Sequence, residues 1–177
     1  APAALSVALV DDTPKGGIQS GNGTTISGLQ LGTPSDDRWI AVGVANSTGN
    51  GETQSTGCTL NGIAASFVIA PNNRFNPQIL LFMVPTGTTG TLFVQFNVPD
   101  NATVAWVAAI TGASNLAVQD NIVLPGPNGT LDVVSGGIVL VNAMAWQLGA
   151  GVFSGVDQMH AWDATTGSAG GKKLITA

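Results

Sequence analysis

The sequence predicts an all-β protein, a β-sandwich or jelly roll of roughly eight to ten strands, with less than about a tenth of the chain in helix. Three observations carry that prediction. Short apolar runs rich in β-branched residues recur along the chain, and turn-forming residues separate them at intervals of roughly 8–12 positions. No segment keeps a helical period for three turns. The nearest, residues 143–152, is interrupted by Gly149 and Gly151.

The elements follow in order. Residues 6–10 read as a first, weak strand, and residues 11–23, rich in Gly and polar side chains, as a long loop joining it to the body. Strands are expected at 24–31, 39–45 and 58–60. Asn61-Gly62 then marks a hairpin turn, because both residues accept the positive φ angles of a type I′ turn. A further strand covers 64–70. Residues 79–84, Ile-Leu-Leu-Phe-Met-Val, form a continuous apolar run whose length suits a strand buried on both faces. After the turn from Pro85 to Gly90, Leu92, Val94, Phe96 and Val98 alternate with Thr91, Phe93, Gln95 and Asn97. That is a half-buried strand, so residues 78–98 read as a hairpin. The remaining strands are expected at 104–111, 130–134, 137–144 and 159–162. Trp39, Val42, Leu81, Met83, Leu92, Val94, Phe96, Trp106 and Val139 are the expected core.

In domain terms the chain divides into an N-terminal strand and polar loop (1–23), a sandwich body (24–164) and a C-terminal arm (165–177). The termini are the expected docking arms: residues 1–10 are apolar, and Lys172-Lys173-Leu174-Ile175 is a segment suited to pairing at an exposed strand edge.

Charge is scarce. Only 8% of the residues are Asp, Glu, Lys or Arg, against about 25% in ordinary soluble domains. The polar surface must be built from Thr, Ser, Asn, Gln and backbone amides, which hydrate well and repel weakly. A net charge of -5 gives no strong field for steering a charged ligand. An acidic chain with five cations and no basic cluster is a poor nucleic-acid binder. No apolar run approaches the roughly 18 residues of a membrane helix, and the N-terminal residues do not read as a signal peptide.

Chemistry is equally scarce. The chain has one Cys, one His and no Tyr. Cys58 can form no disulfide within the chain and reads as a small buried hydrophobe. His160, between Asp157 and Asp163, fits an ordinary strand position better than a catalytic one. The acid pairs Asp11-Asp12 and Asp36-Asp37 lack the spacing of a calcium loop. Asp36-Asp37-Arg38 reads as a turn with a local ion pair. Four Asn-X-Thr/Ser triplets, at Asn22, Asn46, Asn101 and Asn128, read as turns. No enzyme activity, cofactor or metal is expected. The candidate contact residues for a partner or ligand are Trp146, Trp162, His160, Arg74, Leu174 and Ile175. Trp39 and Trp106 sit in apolar strands and read as core.

Three phrases stand in order along the chain: residues 29–42, which include Gly32-Thr33-Pro34-Ser35-Asp36-Asp37-Arg38-Trp39; residues 60–65, opening Leu60-Asn61-Gly62; and residues 83–91, Met83-Val84-Pro85-Thr86-Gly87-Thr88-Thr89-Gly90-Thr91. Together they resemble small β-sandwich (jelly-roll-like) structural proteins of tailed bacteriophages and prophages. The resemblance covers about residues 24–112 and carries over no functional residue. It implies a virion protein: a capsid decoration (cement) protein, a head fibre or a tail-associated protein. Its partners would be the major capsid protein or other virion proteins and copies of itself, with a homotrimer as the expected assembly. The alternative reading is a carbohydrate- or receptor-binding module of a phage fibre or tail, exposing Trp side chains to a glycan. A secreted β-sandwich enzyme ranks third.

Overall fold

The computed structural model describes residues 5–47, 55–69, 78–97, 102–113, 115–118, 137–144, 157–158 and 168–174. In chain order the strands are β1 (Ser6–Gly16), β2 (Ile18–Ser20), β3 (Gly23–Gln30), β4 (Trp39–Ser47), β5 (Ser55–Leu60), β6 (Ile63–Ala64) and β7 (Phe67–Ile69). They continue with β8 (Gln78–Met83), β9 (Thr89–Phe96), β10 (Ala102–Thr111), β11 (Ile138–Met144), β12 (Asp157–Gln158) and β13 (Ser168–Leu174). No helix occurs among the described residues.

Two five-stranded antiparallel sheets form the sandwich. Sheet A runs β1-β10-β4-β8-β7 and sheet B runs β2-β3-β9-β5-β6; a three-stranded sheet, β11-β13-β12, adds a third element. All described pairings are antiparallel. The predicted all-β sandwich is therefore what the chain forms, with the small third sheet as an addition.

Side-chain parity builds the core. Along β4, Ile40, Val42 and Val44 point inward with Leu80 and Phe82 of β8 and Ala105, Val107 and Ala109 of β10. They meet Ile26, Leu60, Leu92, Val94 and Phe96 of sheet B. The alternate residues of the same strands, Trp39, Ala41, Ile79, Leu81, Trp106, Ala108 and Ile110, form a second apolar cluster on the far side of sheet A. Ile138 and Leu140 of β11, with Leu116 and Val118, pack over it. Sheet A is thus apolar on both faces, which is why its central strands read as unbroken apolar runs. Asn142 of β11 anchors this cover. Its amide donates to the Val44 and Gln78 carbonyls, both at 2.8 Å, and its oxygen accepts from Trp106 Nε1 at 3.2 Å.

The chain changes sheet at both sides of the sandwich. β1 lies on sheet A beside β10, and after Gly17 the chain enters sheet B as β2. On the other side β6 belongs to sheet B and β7 to sheet A, with residues 65–66 making the crossing. β2, β6 and β7 are two or three residues long, and β1 carries two register shifts around Asp11. Short or bulged edges offer little template for pairing with another chain.

Several expectations need correction. The stretch 11–23 is strand for most of its length, because β1 runs to Gly16 and β2 follows. Residues 6–10 are no free arm, since they pair with β10 and Val7 is buried. Residues 78–98 are not a hairpin. β8 pairs with β4 and β7 while β9 pairs with β3 and β5, so the turn crosses between sheets. The expected strand at 64–70 is split between sheets. Met83, expected in the core, is the last residue of β8 on the outer face and stands 40% exposed. Val139 is half-buried, because it points away from sheet A while its neighbours Ile138 and Leu140 point toward it. The expected strands at 130–134 and 159–162 lie outside the described residues. Asn61-Gly62 forms the expected turn, with φ of 52° and 81° between the paired Leu60 and Ile63.

One close approach tests the doubly covered sheet. A Cβ at Gly43 would lie 2.0 Å from the Trp106 ring. Gly43→Ala must push that ring toward β11, so it is expected to cost about 1–3 kcal/mol. Denaturant unfolding of the purified variant measures this; an unchanged midpoint would contradict the packing of Trp106 on β4.

Candidate functional site

The three phrases of the sequence resemblance converge at one end of the sandwich, and Arg38 joins two of them. Its side chain is fully buried. Nε donates to the Val84 carbonyl at 2.7 Å. One terminal nitrogen donates to Leu31 and Gly32, both at 3.1 Å, and the other to Thr86 and Gly87, both at 2.8 Å. All five N–H donors of a guanidinium are therefore used on backbone carbonyls. Burial pushes the Arg38 pKa down, yet a guanidinium stays charged at any ordinary pH. Its partners are five carbonyl dipoles in place of the expected ion pair.

The surrounding turns share the same lock. Ser35 N–H donates to the Pro85 carbonyl at 3.2 Å, Val84 N–H to the Arg38 carbonyl at 3.2 Å, and Leu31 N–H to Thr88 at 2.8 Å. Asp36 and Asp37 form the expected turn, but Asp37 turns toward β10. Its carboxylate accepts from the Ser35 hydroxyl and from Gly112 N–H, the latter at 2.8 Å. Those two bonds, the Ser35 bond first, hold its carboxyl below the ordinary value of 3.8. The phrase at 60–65 joins through Asn61. The Asn61 amide donates to the Thr89 carbonyl at 3.1 Å, and its oxygen accepts from Thr91 N–H at 2.8 Å. Apart from the Ser35–Asp37 pair, these side-chain bonds go to the backbone, so the cluster positions loops.

Polar pairs also tie the sheets elsewhere. The Ser55 hydroxyl donates to the buried Gln78 side chain, and Gln30 N–H donates to the buried Asp11 carboxylate at 2.7 Å. A shallow cleft of about 270 Å³ opens beside β5, lined by Ser55, Thr56, Gly57, Cys58, Ala64, Ala65 and Val68. Burial pushes the Cys58 thiol up, so it stays protonated and is no nucleophile at neutral pH. Among the described residues no three of His, Cys, Asp and Glu come together as metal ligands.

The candidate contact residues are not brought together by the described structure. Arg74, Trp146, His160, Trp162 and Ile175 lie outside the described residues. Leu174 ends β13, opposite Ile138 of β11, so the backbone of residues 172–174 is engaged within the chain. Trp39 and Trp106 are buried as expected, and Trp39 lies 6.3 Å from the Phe67 ring.

Sequence reasoning missed the surface with the clearest binding character, the outer face of sheet B. It presents Thr25, Thr59, Thr89, Thr91 and Gln95 around Phe93, with Ile18 beside them. The signal was a phenylalanine on the polar side of an alternating strand. Comparison with protein-family models, with curated proteins and with solved structures returned no match.

Two measurements test the Arg38 cluster. Arg38→Lys keeps the charge but loses the fork, and is expected to destabilise the fold by about 3 kcal/mol or more; a melting temperature equal to the parent would refute the five-carbonyl clamp. Asp37→Asn reads the carboxylate. A depressed folded pKa contributes stability that is present above the unfolded value and lost as pH falls through the folded one. The variant is therefore expected to melt below the parent at pH 7, the gap closing below pH 3.8. A gap independent of pH would assign the effect to geometry alone.

Proposed function

We propose that the protein is a virion structural protein, a capsid decoration (cement) protein of a tailed-phage head, that binds its lattice through neutral, shape-matched surface. The observation that carries this reading is the distribution of charge. None of the strands of sheet B contains an Asp, Glu, Lys or Arg, so an entire face of the sandwich is polar without being charged. A protein that coats a repeating shell sits among many copies of itself, and low charge limits their mutual repulsion. Weak contacts repeated over a lattice add up by avidity. The resemblance of residues 24–112 to phage structural proteins supports the same assignment, as does the Arg38 cluster, whose bonds join loops of the fold.

The alternative, a glycan-binding module of a fibre or tail, draws support from Phe93 among Thr and Gln side chains, an arrangement suited to stacking on a sugar ring. It would also use Trp146 and Trp162, for which the described residues give no geometry.

Deleting the N-terminal residues is a poor test of lattice binding, because β1 is an integral strand of sheet A. Full-length protein added to phage heads stripped of accessory proteins is the direct measurement. Saturating co-sedimentation at a fixed ratio to the major capsid protein, retained within about threefold as salt is raised well past the physiological range, is expected for a neutral interface. Absence of binding, or release by moderate salt, would overturn the reading.

A further inference from the structure

We infer that the outer face of sheet B is a self-association surface on which a second copy of this chain docks face to face. Ile18 is paired with Thr25, Thr25 with Phe93, Phe93 with Thr59, and Thr59 with Ala64. Directly paired residues point to the same side of a sheet, so these five side chains form one row across all five strands. The apolar members stand in solvent: Ile18 is 76% and Phe93 37% exposed. Gly23 keeps the face level. A Cβ there would lie 2.8 Å from the Phe93 ring, so only a glycine lets the ring lie down across β3.

Three arguments select a second copy as the occupant. The first is charge. The chain carries -5 in all, so two copies repel through any face that holds its acids, and least through a sheet that holds none. Thr and Gln are both donor and acceptor, so each can pair with its own counterpart across a two-fold axis. The second is the edges. β2, β6 and β7 are too short and β1 too bulged for edge-to-edge growth, which leaves the face. The third is area. Five strands spaced about 4.8 Å apart and on average about 17 Å long give roughly 400 Å² per copy, so a pair covers roughly 800 Å². That lies below the roughly 1,200 Å² of a stable specific interface, and it fits a weak contact that becomes effective among neighbours held on one shell. The same face on two copies pairs isologously across a two-fold axis, so the product is a two-fold dimer and not the trimer that the resemblance implied.

The inference does not rest on shell binding. It is read in free solution, so its failure leaves the decoration role standing, and the failure of that role leaves it standing. Analytical ultracentrifugation of the full chain, from about 10 µM to about 1 mM, spans the range for an interface of this size. A monomer–dimer equilibrium is expected. Phe93→Lys, Thr59→Lys and Thr91→Lys should each raise the dissociation constant at least about tenfold, while Thr33→Lys, at an exposed position away from this face, should leave it within about twofold. The two threonine variants carry the test if Phe93→Lys fails to fold. A chain monomeric throughout, or a dimer indifferent to the face variants, would overturn the inference. So would a monomer retarded by a neutral polysaccharide gel in a Phe93-dependent way, which would assign the face to a glycan.

Discussion

The Arg38 guanidinium stands between two loops that no strand pairing joins: residues 31–38, leading from sheet B to sheet A, and residues 84–88, leading back. Each loop exposes carbonyls toward the interior that would otherwise be desolvated without donors, a cost of about 1–3 kcal/mol apiece. One planar cation with five fixed N–H groups satisfies carbonyls of both loops at once. A lysine offers three donors around a point charge and cannot span the same set. A carboxylate partner would neutralise Arg38 and leave the carbonyls bare. The crossing between the sheets, and with it the relative placement of β4 and β8 against β3 and β9, depends on this side chain.

The opposite strategy governs the outer side of sheet A. There the cover is apolar packing from β11, fixed by one side chain, Asn142, whose amide reaches the carbonyls of the paired residues Val44 and Gln78. Both devices use a side-chain donor to finish backbone that strand pairing leaves incomplete. The Trp106 ring depends on Gly43 and on Asn142. It lies over Gly43 because no side chain is there, and its indole N–H finds the Asn142 oxygen. A sheet with two apolar faces is thereby made specific about which strand covers it.

Much of this was legible in the sequence. Strand periodicity located β4, β9 and β10 closely, and Asn61-Gly62 gave its turn by local φ preference alone. The hairpin at 78–98 failed for a physical reason. An apolar run like residues 79–84 indicates a strand covered on both faces, and a strand in the middle of the layers need not pair with the half-buried strand that follows. Arg38 was misread because its sequence neighbours are Asp36 and Asp37, while its partners are five carbonyls, chemically alike at every position, three of which belong to the distant loop at 84–88. The exposed face of sheet B was hidden differently: its residues come from five strands spread over residues 18–95, and only register aligns them.

Charge placement connects the fold to the proposed role. The turn at 36–37 carries its acids at one end of the sandwich, Asp11 of β1 is buried against Gln30 N–H, and Arg38 is matched internally by dipoles, so it adds no exposed patch. The outer face of sheet B is left with threonine hydroxyls, amides, Ala64 and two large apolar side chains, Ile18 and Phe93. Such a face gains little from long-range attraction, so orientation must come from contact: a level surface, a ring held down by Gly23, and hydroxyls free to donate or accept. Contact of that kind is weak for one pair and nearly indifferent to salt. It becomes decisive only when geometry holds many copies within reach, which is the condition a repeating shell supplies.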